Sequence, residues 1–163
     1  MISISLITHN AHKRAALILK CFHTRDQQTL KLAFCTYVRP LLEFASQISS
    51  PGYRYLIESI EKVQRRFTKQ IPGLRHILYQ ERLKRVNISS LELRRLHSDL
   101  ILCFKIVFGY VDVRYDDYFE FHCESATRGH SFKLRKRQCS VNSRSNFFTE
   151  RIVNLWNTYR RIL

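Results

Sequence analysis

The stretch that most constrains this chain is residues 56–71, LIESIEKVQRRFTKQI. Leu56, Ile60, Val63, Phe67 and Ile71 recur at the spacing of an amphipathic helix, so the pattern predicts one apolar face. Lys62, Arg65, Arg66 and Lys69 gather on the opposite face. Glu58 with Lys62, and Glu61 with Arg65, are i,i+4 pairs with the acid first, the favourable order. Such a helix needs an apolar body beneath it and turns a basic stripe outward.

The remaining sequence supplies both. A chain of 163 residues forms one domain, or one and a tail, and can bury ~70% of its unfolded surface. Its 45% hydrophobic content excludes a disordered polymer, and only four Gly and three Pro argue against a strand-and-turn fold. Lys and Arg number 28 against 13 Asp and Glu, a net charge of +15. That excess points to a polyanion, with nucleic acid ahead of an acidic membrane surface. A basic face that meets an acidic protein is the alternative. The five cysteines, Cys21, Cys35, Cys103, Cys123 and Cys139, include no C-x-x-C, so neither a disulfide framework nor a spaced zinc set is expected. His122, Cys123 and Cys139 come nearest to a metal set and lack a fourth neighbour. Reduced thiols suit nucleus or cytoplasm. No apolar run is long enough to cross a membrane, and MISISLITHN lacks the basic start of a signal peptide.

In chain order, Ile4, Ile7, Ala11, Ala15, Ile18 and Phe22 predict a first helix, preferred over a short strand at residues 2–5 because that strand has no partner. Thr24 to Gln27 reads as a capping box. It opens a helix carrying Leu30, Phe34, Tyr37 or Val38, Leu41 and Ala45, which Pro40 should kink or split after Arg39. Ser50 as N-cap with Pro51 behind it launches the basic helix, and Pro72-Gly73 ends it. A short helix at residues 79–86 exposes Glu81, Arg82, Lys84 and Arg85. Ser89 and Glu92 form a second capping box ahead of the most apolar helix, whose expected buried stripe is Leu93, Leu96, Leu100, Phe104 and Val107, with Gly109 at its end.

After Gly109 the character changes. Tyr115, Tyr118, Phe119 and Phe121 crowd an irregular stretch, and residues 125–149 hold no acid. Arg128, His130, Lys133, Arg135, Lys136, Arg137 and Arg144 lie in that window, with Phe132, Phe147 and Phe148 nearby. This composition fits an extended basic arm or hairpin making phosphate contacts and base stacking. A solvated loop or import-like patch at residues 133–137 is the alternative. A short helix over residues 150–163 closes the chain on Ile152, Leu155, Trp156 and Tyr159. The expected fold is mainly α: a compact bundle of about five helices over residues 1–110 and an aromatic, basic extension over residues 111–163.

Catalytic chemistry has little to stand on. Two-metal nucleotidyl transfer needs carboxylates converging from neighbouring strands, often through an aromatic-x-Asp-Asp turn. Tyr115-Asp116-Asp117 misses that spacing by one residue, since the aromatic would have to replace Arg114. None of the seven histidines stands beside Ser or Cys in a nucleophile setting, and there is no Gly-rich phosphate loop.

Several blocks in register carry a resemblance. VRPLLEFAS at residues 38–46, IEKVQRRFTKQIPGL at 60–74 and ERLKRVNISSLELRRLHSDLILCFKI at 81–106 are followed in order by TRGHSFKL at 127–134, Cys139 and NFFTERIVNLWN at 146–157. Together they resemble the C-terminal part of non-LTR (LINE-type, Jockey-like) retrotransposon reverse transcriptases. The resemblance implies a helical thumb and the segment beyond it, a part that grips the template-primer duplex in an RNA-directed DNA polymerase. On the matching positions it implies phosphate contacts from Arg65, Arg66, Lys69, Arg94 and Arg95. The partners it implies are RNA and DNA read without sequence preference, and the polymerase's palm and fingers, in a nuclear or cytoplasmic ribonucleoprotein. The palm's metal-binding aspartates have no counterpart here, so the expectation is a non-catalytic fragment without a cofactor. Where the family continues Trp-Asn towards Leu-Pro, this chain has Thr158-Tyr159-Arg160. A protein-interaction module, or a non-functional remnant of a mobile element, is the other expectation.

Overall fold

The computed structural model describes residues 4–48, 50–121, 132–140 and 142–158. Its elements are α1 (Ile4–Cys21), α2 (Gln27–Tyr37), α3 (Arg39–Glu43), α4 (Arg54–Lys69), α5 (Tyr79–Val86), α6 (Leu91–Val107), a 3-10 turn at Tyr115–Asp117, α7 (Asn142–Ser145) and α8 (Phe148–Thr158). Among the described residues there is no strand, only an isolated antiparallel bridge from Phe121 to Leu134. No described helix is long and apolar enough to cross a membrane. The mainly α fold is the one the periodicity predicts. The chain divides into units Met1–Arg95 and Leu96–Leu163, a boundary inside α6 rather than after residue 110.

In the first unit α1 buries Ala11, Ala15 and Ile18 in one core with Leu30, Ala33 and Phe34 of α2 and Ile60, Val63 and Phe67 of α4. Ala11 and Ala15 add little bulk, so α1 can lie close on α4. The rings of Phe34 and Phe67 stack with centroids 4.6 Å apart. The second helical segment is split as expected, but at Val38 rather than after Arg39: Val38 ends α2, and Arg39 and Pro40 form the first turn of α3. Val38, not Tyr37, takes the buried position. Ala45 lies past the end of α3 with φ 50°, outside any helix.

The ends of the helices need correction. Asp26, not Thr24, caps α2: its carboxylate accepts from the Thr29 amide at 2.8 Å and the Thr29 hydroxyl at 3.0 Å. Those two bonds hold the Asp26 carboxyl below its usual range. Neither Ser50 nor Pro51 starts α4, which begins three residues beyond Pro51 behind an extended Tyr53. Asn87, left-handed at φ 53°, closes α5, and the amide of Ile88 reaches back to the Leu83 carbonyl at 3.0 Å. Ser90, not Ser89, caps α6, accepting from the Leu93 amide at 3.3 Å. The amides of Leu91 and Glu92 are taken by the carboxylate of Glu61 on α4, at 2.9 and 3.3 Å. Glu61 therefore points inward and does not form the surface pair with Arg65 that its spacing suggests.

Arg82 is also buried rather than exposed. Its guanidinium donates to the carbonyls of Ile77 at 3.1 Å and Arg65 at 3.2 Å, tying α5 to α4.

The second unit gathers Cys103 and Ile106 of α6, Phe119, Leu134, and Ile152, Val153 and Trp156 of α8. The α6 stripe is rotated from expectation. Leu93 and Phe104 are left partly exposed, Leu100 is half-buried, and Asp99, Cys103 and Ile106 face inward. Burial pushes the Cys103 thiol up to about 12, which leaves it unreactive near neutrality. Trp156 donates its indole N–H to the Phe132 carbonyl at 2.9 Å. Asn157 clamps the next residue but one in both directions: it accepts from the Leu134 amide at 2.9 Å and donates to the Leu134 carbonyl at 2.8 Å. The Trp-Asn pair thus holds an extended segment from one side, while the bridge to Phe121 and the bond from the Arg135 amide to the Glu120 carbonyl at 2.7 Å hold it from the other.

Candidate nucleic-acid interface

The basic face of α4 owes its sign to where its two acids go. Glu58 turns back to Arg54 at 3.3 Å, and Glu61 is buried beneath Leu91 and Tyr79. Neither lies against Lys62 or Arg65 as the i,i+4 spacing suggests. Lys62, Arg65, Arg66 and Lys69 all stand exposed. Arg65 also lies over the Tyr79 ring, 5.0 Å from its centroid, which steadies the guanidinium without neutralising it.

Alongside this face runs α1, which contains no acid. Between the two helices lies an open groove of about 580 Å³, lined by the four basic side chains of α4 and by His9 and His12 of α1. Ser5, Thr8 and Ser59 complete its described lining, in which there is no carboxylate. The hydroxyl of Thr8 donates to Ile4 and Ser5 carbonyls at 3.0 Å, so α1's own polar group is satisfied within the helix. His12 is half-buried, and its pKa is lowered by that burial and then by Arg66, Lys62 and His9. Burial and the neighbouring cations thus both disfavour the charged imidazole, in a groove whose described charged side chains are all basic. His9 and His12 are two of the seven histidines to which the sequence alone assigns no role. Their i,i+3 spacing was visible, but the docking of α1 on α4 was not.

The other expected contacts divide. Arg94 and Arg95 are half-buried and engaged by the fold. Arg94 forms a two-pronged ion pair with Glu43, through Nε and through Nη2 at 3.1 Å, which holds its charge more firmly. Arg95 donates Nη2 to the Leu42 carbonyl at 2.6 Å. In the second unit Arg135 and Arg137 both reach Glu120, at 3.7 and 2.5 Å. Lys136 and Arg144 are exposed, and Lys133 is half-buried. A cavity beside them is lined by Lys136, Arg137 and Arg151 but also by Glu150, so its charge is mixed. Arg128 and His130 lie outside the described residues, as do His122 and Cys123. Among the described residues no three of His, Cys, Asp and Glu converge as metal ligands. Asp116 and Asp117 stand exposed on one 3-10 turn.

The described lining of the first unit's groove is therefore uniform in the sign of its charge, and the second unit's basic residues are partly neutralised. No family model, curated protein or solved structure matches this chain.

Proposed function

We propose that this chain is the nucleic-acid-gripping part of a LINE-type retrotransposon reverse transcriptase, holding the template-primer backbone without adding nucleotides itself. The observation that supports it is the carboxylate-free groove between α1 and α4, edged by Lys62, Arg65, Arg66 and Lys69. Side chains of this kind meet phosphates and release counterions, which gives affinity without sequence preference. The chain would contribute grip, and the palm of a complete polymerase would contribute the metal-held chemistry.

Salt titration tests this reading. If about four to six phosphates are neutralised, log K for a primer-template duplex should fall against log salt with a slope of about −4 to −5. Replacing Lys62, Arg65 and Arg66 together with Ala should flatten that slope by about 2 to 3, since each phosphate contact contributes about 0.9. Affinity indifferent to salt, or no binding at low salt, would remove the reading. In the same preparations we expect no primer extension with Mg²⁺ or Mn²⁺; extension abolished by Asp116→Ala with Asp117→Ala would overturn the non-catalytic assignment.

A second reading, a protein-interaction module, is favoured by the exposed apolar side chains Phe44, Ile48, Tyr53 and Tyr55 around the link from α3 to α4. It would stand in place of the first if the chain bound no nucleic acid and these side chains were protected by an added palm domain.

A further inference from the structure

The α1/α4 groove holds an ionisable group that phosphate contact alone does not require. His12 is a half-buried part of its lining, with Lys62 and Arg66 of α4 and His9 of its own helix acting on it. Arg65 and Lys69 also line the groove. The other helices packed on α1 bring Lys31, Cys35 and Tyr37 from α2, and Arg39 and Glu43 from α3. None of these lines the groove, and Glu43 is already tied to Arg94. Every group that acts on His12 therefore opposes its protonation, and no described carboxylate relieves it.

We propose that this groove seats a phosphodiester group of the bound strand beside His12, and that seating it loads a proton onto His12, so that the chain's grip on nucleic acid tightens on acidification. The inference rests on the nucleic-acid reading above and adds its regulation. A phosphate brings negative charge to a groove whose described lining holds four basic side chains and no carboxylate. It offsets Lys62 and Arg66, and the cost of charging the imidazole falls. The proton comes from solvent, no covalent bond changes, and protonated His12 gains an N–H to donate to a phosphate oxygen. The direction follows from linkage. The complex binds more protons than the free chain between the two pKa values, so affinity must rise as pH falls through that window. Histidine is the side chain whose ordinary titration lies there.

The test uses the whole chain and a short labelled DNA duplex, with binding read by fluorescence anisotropy at constant ionic strength. Between about pH 8 and about pH 6 the affinity should rise roughly three- to ten-fold, as one linked proton allows. In His12→Asn that ratio should fall most of the way to one, whatever the absolute affinity. Because a half-buried substitution can disturb α1, the second measurement is on the unaltered chain. The His12 imidazole is titrated by NMR with and without duplex, and its midpoint should move upward on binding. Binding that is equally tight at both pH values, or an unmoved His12 midpoint in the complex, would overturn the proton linkage and leave the grip intact. A pH ratio unchanged in His12→Asn would assign the proton elsewhere and overturn it too. No binding at either pH in low salt would instead remove the grip reading, and this inference with it.

Discussion

Asp99→Ala should lower the stability of the second unit by about 3–5 kcal/mol, the usual penalty for leaving one member of a buried ion pair alone. Asp99 is 4% exposed on the inner face of α6. Its two oxygens accept from Nε and Nη2 of Arg151 on α8, both at 2.9 Å, a two-pronged geometry. Arg151 is fixed further by donation to the Asn146 carbonyl at 2.8 Å and by the Phe148 ring beneath it. It cannot swing into water without releasing those contacts, so the alanine variant keeps a half-buried guanidinium that has lost the carboxylate it was bonded to. Urea unfolding followed by tryptophan fluorescence reads this unit specifically, because the only tryptophan, Trp156, lies in the same cluster. Asp99→Ala combined with Arg151→Met should recover much of the loss, since the stranded charge is gone. A loss below about 1 kcal/mol in the single variant would mean the pair is solvated, as exposed pairs of that small worth are.

The same pair shows why one helix could be found in the sequence and its face could not. From Leu100 to Phe108 nearly every residue of α6 and its end is apolar, so helical spacing identifies a helix but does not choose which side is buried. The choice is made by Asp99, whose partner lies 52 residues away on α8. No local pattern carries that information. The Leu93-to-Val107 stripe was the natural apolar reading, and the polar contact displaced it.

Elsewhere local signals were sufficient. The 79–86 helix has the bounds expected, because polar and apolar residues alternate there with a clear period. Pro40 breaks the chain where its missing N–H requires. Ile60, Val63, Phe67 and Ile71 are all buried, as the opening pattern of 56–71 demanded. The candidate interface was legible only in its charge. That Lys62, Arg65, Arg66 and Lys69 share a face follows from spacing. That Glu61 leaves this face, that Arg94 and Arg95 bind α3 and its end, and that His9 and His12 enter the groove depends on tertiary partners. Burial of a charged side chain is decided by those partners, and composition contains no trace of them.

Glu61 supplies the final expectation, because one carboxylate joins three elements of the first unit. It is 8% exposed, accepts from the Tyr79 hydroxyl on α5, and takes the first two amides of α6. Its negative charge also sits at the positive end of the α6 dipole. Glu61→Ala removes the amides' partner, about 0.5–2 kcal/mol by analogy with a lost N-cap. It also deprives a partly buried phenol of its acceptor, about 1–3 kcal/mol more. The expected total is roughly 1.5–5 kcal/mol, read by loss of far-ultraviolet helicity in urea. Glu61→Gln, which keeps an acceptor oxygen, should lose less. The node also predicts alkaline sensitivity. Burial first, then the Glu61 carboxylate, push the Tyr79 phenol well above its ordinary value. A group whose pKa is raised by folding contributes its full stability below the unfolded value, here about 10, and loses it as pH climbs towards the folded one. The urea midpoint should therefore drop above about pH 10, and Tyr79→Phe should weaken that drop even though it lowers the midpoint at neutral pH. An alkaline drop of the same size in Tyr79→Phe would mean other groups govern it, and that the phenol does not share a buried site with Glu61.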